Sequence, residues 1–197
     1  MEEITVEVAN VSHFKYAQPI CDLIAESAKQ RGTGIAKRKP EYVREKMETD
    51  KAIIALKGEE LVGFCYIETW DHGKYVANSG LIVNPSFRKK GMATRIKKVA
   101  FDHARDKYPK AKVFGITTSG TVMGINSDLG YRPVVFAKLT QDEAFWKGCQ
   151  SCPNYDILER NQRSKCLCTG MLAPSKEEEE AMKFDLSDKI IQIPSSE

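Results

Sequence analysis

The sequence predicts an α+β or mixed α/β fold. Three observations carry that expectation. Runs of β-rich residues alternate with runs that are apolar every three to four residues, in the order β-α-α-β-β-β-α-β-α-β over residues 4–140. Glycine or proline punctuates the boundaries, at Gly58, Pro85 and Gly130. No apolar run approaches the roughly 20 residues that span a bilayer.

The elements follow from local pattern. ITVEVAN (4–10) alternates as a strand. Residues 13–31 carry Phe14, Ile20, Leu23, Ile24 and Ala28 near helical spacing. RGTGIAKRKP (31–40) reads as a loop, and Pro40 suits the first turn of a helix over 40–48. KAIIALKG (51–58) and ELVGFCYIETW (60–70) read as a hairpin turning at Gly58. KYVANSGLIVNP (74–85) is a strand stopped by Pro85. Residues 92–107 form an amphipathic helix, with Met92, Ile96, Val99 and Ala100 on the apolar side. KVFGITTSG (112–120) is a strand, TVMGINSDLG (121–130) a short helix ending at Gly130, and YRPVVFAKLT (131–140) a strand. This divides the chain into a core over 1–140, a cysteine-rich segment over 141–174 that completes or extends the sheet, and an acidic tail over 175–197. The tail's acidic run reads as a helix start, and its IIQI as an edge strand or a loose end.

Charge is uneven. The net formal charge of the 197 residues is +3, yet the tail holds three Lys against seven Asp and Glu. Residues 85–112 hold ten Lys and Arg against two Asp, which favours a phosphorylated ligand or a polyanion. Within NPSFRKKGMATRIKK (84–98) six of fifteen residues are basic, but Phe87 is the one aromatic. Nucleic-acid binding by base stacking would call for more, so the expectation is no nucleic-acid partner. The opening MEEITVEVAN is acidic and strand-like, unlike a secretory leader. The expectations are therefore a cytoplasmic protein with no membrane partner and six reduced cysteines.

The loop before helix 92–107 carries the most chemistry. A helix N-terminus aims backbone N–H groups at an anion, and Gly91 lets the main chain approach closely. Arg88, Lys89 and Lys90 add charge ahead of it, and Ala93 is small. Strand, Pro85, Arg-x-x-Gly-x-Ala, helix is thus a workable pyrophosphate cradle.

Val83-x-Pro85-x-x-Arg88-x-x-Gly91-x-Ala93 resembles the acyl-coenzyme A binding motif of the GNAT N-acetyltransferase superfamily. Met123-x-Ile125-Asn126-x-x-Leu129-Gly130-Tyr131-Arg132-Pro133 resembles that superfamily's next helix–strand element. The resemblance implies a mostly antiparallel mixed sheet flanked by helices, with a strand that splays from its neighbour and offers backbone groups near Leu81, Ile82 and Val83 to the pantetheine arm of acetyl-coenzyme A, or another acyl-coenzyme A, as cosubstrate. It implies a thioester oxyanion held by the Val83 N–H, and a pyrophosphate held by the amides of Arg88, Lys89, Lys90, Gly91, Met92, Ala93 and Thr94. It also implies direct attack by the primary amine of a small molecule. Glu68 is the candidate general base, with an exposed strand-end carboxylate as the plainer reading. Many members place a proton-donating Tyr where this chain has Asn126, which can hydrogen-bond the cosubstrate but cannot act as an acid. Water, Ser119 and Tyr131 stay open as the acid.

The loop 31–40 forms one wall of the acceptor site in this superfamily. Here Arg31 and Arg38 make it basic and suited to a carboxylate, as in an amino acid such as glutamate. A protein N-acetyltransferase and a non-catalytic acyl-coenzyme A or zinc-containing module are the alternatives, and a homodimer is open. Cys149-x-x-Cys152 and Cys166-x-Cys168 have spacings that suit structural zinc, four packed thiols, or a redox pair at Cys149 and Cys152.

Overall fold

In a computed structural model of the protein, residues 3–31, 37–152 and 154–191 are described, with side chains of 28–31 and 186–191 outside that description. Seven strands form one sheet: β1 (Ile4–Val8), β2 (Ala52–Lys57), β3 (Glu60–Trp70), β4 (Tyr75–Val83), β5 (Lys112–Thr117), β6 (Arg132–Val134) and β7 (Thr169–Ala173). Their order is β1-β2-β3-β4-β5-β7-β6. All neighbours are antiparallel except β4 and β5. β7, from the cysteine-rich segment, lies between β5 and β6. No described helix is long and apolar enough to cross a membrane.

Helices cover both faces. α1 (Ala17–Arg31) and α2 (Pro40–Glu48) bury Ile20, Ile24, Val43 and Met47 against Ile54, Phe64 and Ile82. α3 (Met92–Lys107) covers the other face with Met92, Ile96, Ala100, Phe101 and Ala104. Further along the α1–α2 face, Ala77 and Phe114 pack under Phe136, Trp146 and Leu158. Those last residues come from 136–168, a stretch that contains α5 (Glu143–Lys147) and α6 (Tyr155–Arg160). α4 (Gly120–Asp128) follows β5, with Ser119 accepting from the Val122 N–H as its cap. α7 (Lys176–Ile191) closes the described chain, so the first residues of IIQI continue a helix and do not add a strand.

Two elements differ from the sequence expectation. The helix expected over 13–31 begins as a 3₁₀ turn at Val11–Tyr16, capped by Asn10, before α1. The strand expected over 131–140 lasts three residues and becomes a 3₁₀ turn at Phe136–Lys138. Phe136 and Leu139 are both buried, and a spacing of three puts them on one side of a 3₁₀ turn but on opposite faces of a strand.

A bulge interrupts the pairing of β4 with β3. Phe64 pairs with Ile82 and Tyr66 with Ser79, so Gly80 and Leu81 together oppose Cys65. Gly80 takes φ +67°, and a Cβ there would lie 2.4 Å from the Tyr66 ring. Gly80→Ala combines left-handed strain with overpacking and should cost about 2–4 kcal/mol. Urea unfolding of the variant against the parent chain checks this.

Candidate active site

The parallel pairing of β4 and β5 is short. It joins Tyr75 to Lys112, Val76 to Val113 and Ala77 to Phe114, and stops there. Beyond Asn78 and Gly115 the strands run on without a ladder between them. The Asn84 N–H donates to Val62 O at 2.8 Å, and Ile82 pairs with Phe64. Antiparallel alternation then turns the Ile82 amide toward β3 and the amides of Leu81 and Val83 toward the open side. Ile82 is therefore placed to hold the sheet rather than a ligand in the gap.

Past the bulge the chain reaches the basic loop. Asn84 accepts from the Ser86 N–H, and Pro85–Phe87 forms a 3₁₀ turn. Arg88 turns back: its Nε donates to Val83 O at 2.9 Å and its Nη2 to Ser27 Oγ at 3.0 Å. Its own amide donates to Pro85 O at 3.3 Å. Arg88 thus fastens the loop to β4 and α1, and its N–H is not free for a ligand as expected. Lys89 and Gly91 are left-handed, at φ +61° and +73°, which curls the amides inward. Among the described residues no protein acceptor takes the amides of residues 89–94. Lys89, Lys90, Gly91, Met92, Ala93 and Thr94 thereby offer an anion a row of donors at the positive end of a sixteen-residue helix.

The gap opens into a cavity of about 910 Å³. β4 contributes Asn78, Ser79, Gly80 and Leu81 to its wall, while Val83 lies outside it. Of the two residues with gap-facing amides, Leu81 is the one that lines the cavity. Residues 37–39 and α2 form a second side with Arg38 and Tyr42; the segment 136–168 forms a third with Phe145, Trp146 and Tyr155.

Arg38 donates from Nε and Nη2 to Tyr66 Oη, at 2.8 and 2.6 Å. Its guanidinium lies over the Tyr42 and Tyr66 rings, 5.6 and 5.5 Å from their centroids, and makes no ion pair among the described residues. Trp70, also on the cavity, keeps an indole N–H without a partner. The side chain of Arg31 lies outside the described residues.

Glu68 does reach the cavity wall, but in company. Its carboxylate pairs with Lys46 Nζ, with Lys51 Nζ at 2.6 Å, and accepts from the Thr69 N–H at 3.1 Å. Burial opposes its charge, yet the hydrogen bonds and charges of Lys46 and Lys51 outweigh that and hold its carboxyl below the usual carboxylate range. It is a firmly ionised, weakly basic group tying α2 to β2 and β3, and not the exposed strand-end carboxylate of the plainer reading.

The four clustered cysteines share the cavity's third side. Burial, then the neighbouring Cys152 and Cys166, pushes the Cys149 thiol up to about 11. Burial and the other three push Cys168 up to about 12. Among the described residues no group of three or more His, Cys, Asp or Glu is arranged to hold a metal ion, so the zinc expectation gains no support. Cys149, Cys166 and Cys168 pack instead with Trp146, Tyr155 and Leu158.

Asn126 is 1% exposed and lines the cavity; its Nδ2 reaches Met171 Sδ at 3.5 Å, and its Oδ1 has no partner. The sequence reading missed the bulge at Gly80, Asn78 and Lys97. A signal for Lys97 was present: it falls with Phe101 and Ala104 on the apolar stripe of α3, where a lysine is out of place.

The splayed parallel pair, the glycine-opened helix with free amides and the cavity between them define an acyltransferase-type α+β fold. The sequence profile of the Acetyltransferase (GNAT) family matches residues 20–119, about half of the chain. The chain belongs to that family. No curated relative matches it in sequence. Among solved structures, it is similar to the N-acetylglutamate synthase of Neisseria gonorrhoeae complexed with coenzyme A and N-acetyl-glutamate, with a TM-score of 0.62 at 16% identity, covering 89% of this chain and 36% of that one. This chain therefore spans about a third of that synthase. It is similar to Rv2747 of Mycobacterium tuberculosis in complex with CoA, with a TM-score of 0.61 at 16% identity over 86% of this chain and 98% of that one. It is also similar to yncA, a putative acetyltransferase of Salmonella typhimurium with its cofactor acetyl-CoA, with a TM-score of 0.59 at 12% identity over 87% and 94%.

Glu68→Gln should lower stability by about 2–3 kcal/mol near neutral pH, because two lysines lose their partner in a largely buried setting. The folded carboxyl titrates below its unfolded value of roughly 4.3, so the stabilisation is complete above that pH and fades as pH falls through the folded value. Urea midpoints of parent and variant, compared from pH 8 down to pH 3, should converge at the acid end.

Proposed function

We propose that the protein is an N-acyltransferase that moves an acetyl group from acetyl-coenzyme A to the primary amine of a small, carboxylate-bearing molecule, an amino acid such as glutamate. The observation that carries the first half is the row of amides over residues 89–94 at the head of α3, without protein acceptors among the described residues, in the loop that leads on from β4 and its gap with β5. An anionic pyrophosphate at those amides would direct the pantetheine arm along the gap, its amides meeting the backbone groups that the missing ladder leaves free. The thioester would then lie near Leu81, whose amide faces the gap and which lines the cavity. We assign the oxyanion contact to Leu81 in preference to Val83, which stays on the pantetheine path.

The acceptor reading rests on Arg38. A guanidinium without a carboxylate partner, fixed by Tyr66 and flanked by Lys37 and Lys39, is a ready receptor for an anion. The partnerless Trp70 N–H adds a second donor on the same cavity. The similarity to a synthase whose complex holds N-acetyl-glutamate supports the same choice. Walls on three sides suit a small amine better than a protein tail.

In the reaction the amine enters as an ammonium and gives a proton to water before attack. Glu68 takes part through water at most, since Lys46, Lys51 and the Thr69 amide occupy its oxygens. The amine attacks the thioester carbonyl, the Leu81 amide steadies the oxyanion, and the thiol leaves.

Two measurements test this. Calorimetry should give acetyl-coenzyme A binding that falls at least about 100-fold in Gly91→Glu, which sets a carboxylate and left-handed strain at the cradle, but only about 3-fold in Lys89→Ala. No binding by the parent chain would sink the proposal. Thiol release on a panel of amines should favour carboxylate-bearing ones, with KM for the acceptor rising about 10- to 100-fold in Arg38→Ala. Turnover on peptide amines alone would move the reading to a protein acetyltransferase.

A further inference from the structure

Beneath the point where β4 and β5 part lies a buried polar cluster that the proposed reaction leaves without a task. Lys97 enters it from α3, Cys65 from β3, Asn78 from β4, Asn126 from α4 and Tyr131 from the chain just after α4. Lys97 is 2% exposed, lines the cavity and makes no ion pair among the described residues. Its Nζ lies 5.7 Å from the centroid of the Tyr131 ring. The Cys65 thiol donates to Asn78 Oδ1 at 2.9 Å. Among the described residues three fully buried polar atoms of these side chains have no partner: Asn78 Nδ2, Asn126 Oδ1 and Tyr131 Oη, the last beside Asn78 without completing a bond.

A buried lysine facing no anion is costly to charge, and each orphaned polar atom is costly too. Their gathering at one place makes sense if something polar and transiently negative arrives there. The loop amides take the phosphate end of the cosubstrate, so what reaches this depth of the gap is the thioester end. Asn126 stands where a proton-donating tyrosine would serve a relative, and it has no proton to give.

We propose that Lys97 is the general acid of the reaction: its ammonium, at the base of the β4–β5 gap, protonates the departing thiolate of coenzyme A. The inference rests on the acyltransfer reading. The new carbon–nitrogen bond forms first. The carbon–sulfur bond then breaks with its electron pair on sulfur, and sulfur takes the Lys97 proton. The neutral lysine recovers a proton from the acetylated nitrogen through water. In sum, an ammonium and a thioester give an amide, a thiol and one proton to solvent.

The surroundings favour that role. Burial lowers the proton affinity of Lys97, opposed by Cys65 alone. The titratable groups facing it are Cys65, whose thiol burial pushes up to about 11, and Tyr131, whose phenol burial also pushes up. Both stay neutral at pH 7. Arg105, on the same helix, pairs with Glu179 and acts on Tyr131.

Coenzyme A itself is the probe, so no acceptor is needed. Its thiolate absorbs at short ultraviolet wavelength, and the difference spectrum between complex and free protein follows its titration. In the parent complex the bound thiol should ionise about one pH unit or more below its value in solution, as a neighbouring cation requires. In Lys97→Met and Lys97→Gln that lowering should vanish, with coenzyme A affinity at pH 7 within about 3-fold of the parent. A bound thiol that titrates at or above its solution value in the parent overturns the proposal, even if both variants fail to fold. So does a lowering that survives in a folded variant. Failure of the parent to bind coenzyme A removes the acyltransfer reading beneath it, a distinct result. With an acceptor in hand, Lys97→Met should cut kcat about 100-fold or more, spare KM and abolish the alkaline fall of kcat, which a merely structural lysine would not govern.

Discussion

The short ladder between β4 and β5 is the constraint on which the rest of the molecule depends. Three pairs hold the strands together, and then each goes its own way. A sheet rarely leaves backbone donors and acceptors unpaired in its interior, because each lost hydrogen bond there is expensive. Here the unpaired edges border a cavity, so a ligand can satisfy them. The bulge at Gly80 re-aims β4 at the start of the gap. Tyr66 fills the space over Gly80 and, with the same hydroxyl, fixes Arg38 on the cavity wall. One aromatic side chain therefore couples the bend of β4 to the cavity wall that carries Arg38.

The charges divide into fasteners and receptors. Arg88 and Arg95 look like ligand contacts in a basic loop, yet each is spent on the protein. Arg88 holds Val83 and Ser27, and Arg95 donates to Ile4 O at 2.9 Å. Lys46 and Lys51 are tied to Glu68. What is left for an anion is mostly main chain: the amides at the head of α3, with Lys89 as a mobile charge beside them. Recognition of a pyrophosphate by backbone has the advantage that its geometry is fixed by the fold and loses no side-chain entropy.

The cysteine-rich segment takes part in the site in a way its spacing did not foretell. Residues 136–168 wall the cavity with Phe145, Trp146, Tyr155 and four thiols, and β7 then inserts between β5 and β6. T-shaped contacts of Phe145 with Trp70, Phe114 and Trp146 join this wall to the sheet. The segment thus walls one side of the cavity into which the gap opens.

The sequence by itself determined the spans of α2 and α3, because 3.6-residue periodicity and helix starts are local: α2 begins at Pro40 and α3 just after Gly91. It also determined the left-handed Gly91 at the head of α3, since a glycine opening a helix after a proline-stopped strand is a contiguous signal. Only the tertiary structure decided what distant residues do together. It paired Glu68 with lysines from two other elements and so made a weak base of a candidate catalyst. It placed Leu81 on the cavity and left Val83 off it. It drew four cysteines into a wall without arranging them for a metal. It set Lys97 beside Cys65, Asn78, Asn126 and Tyr131. Proton affinity, burial and orientation depend on neighbours brought from elsewhere in the chain, and no local pattern encodes them.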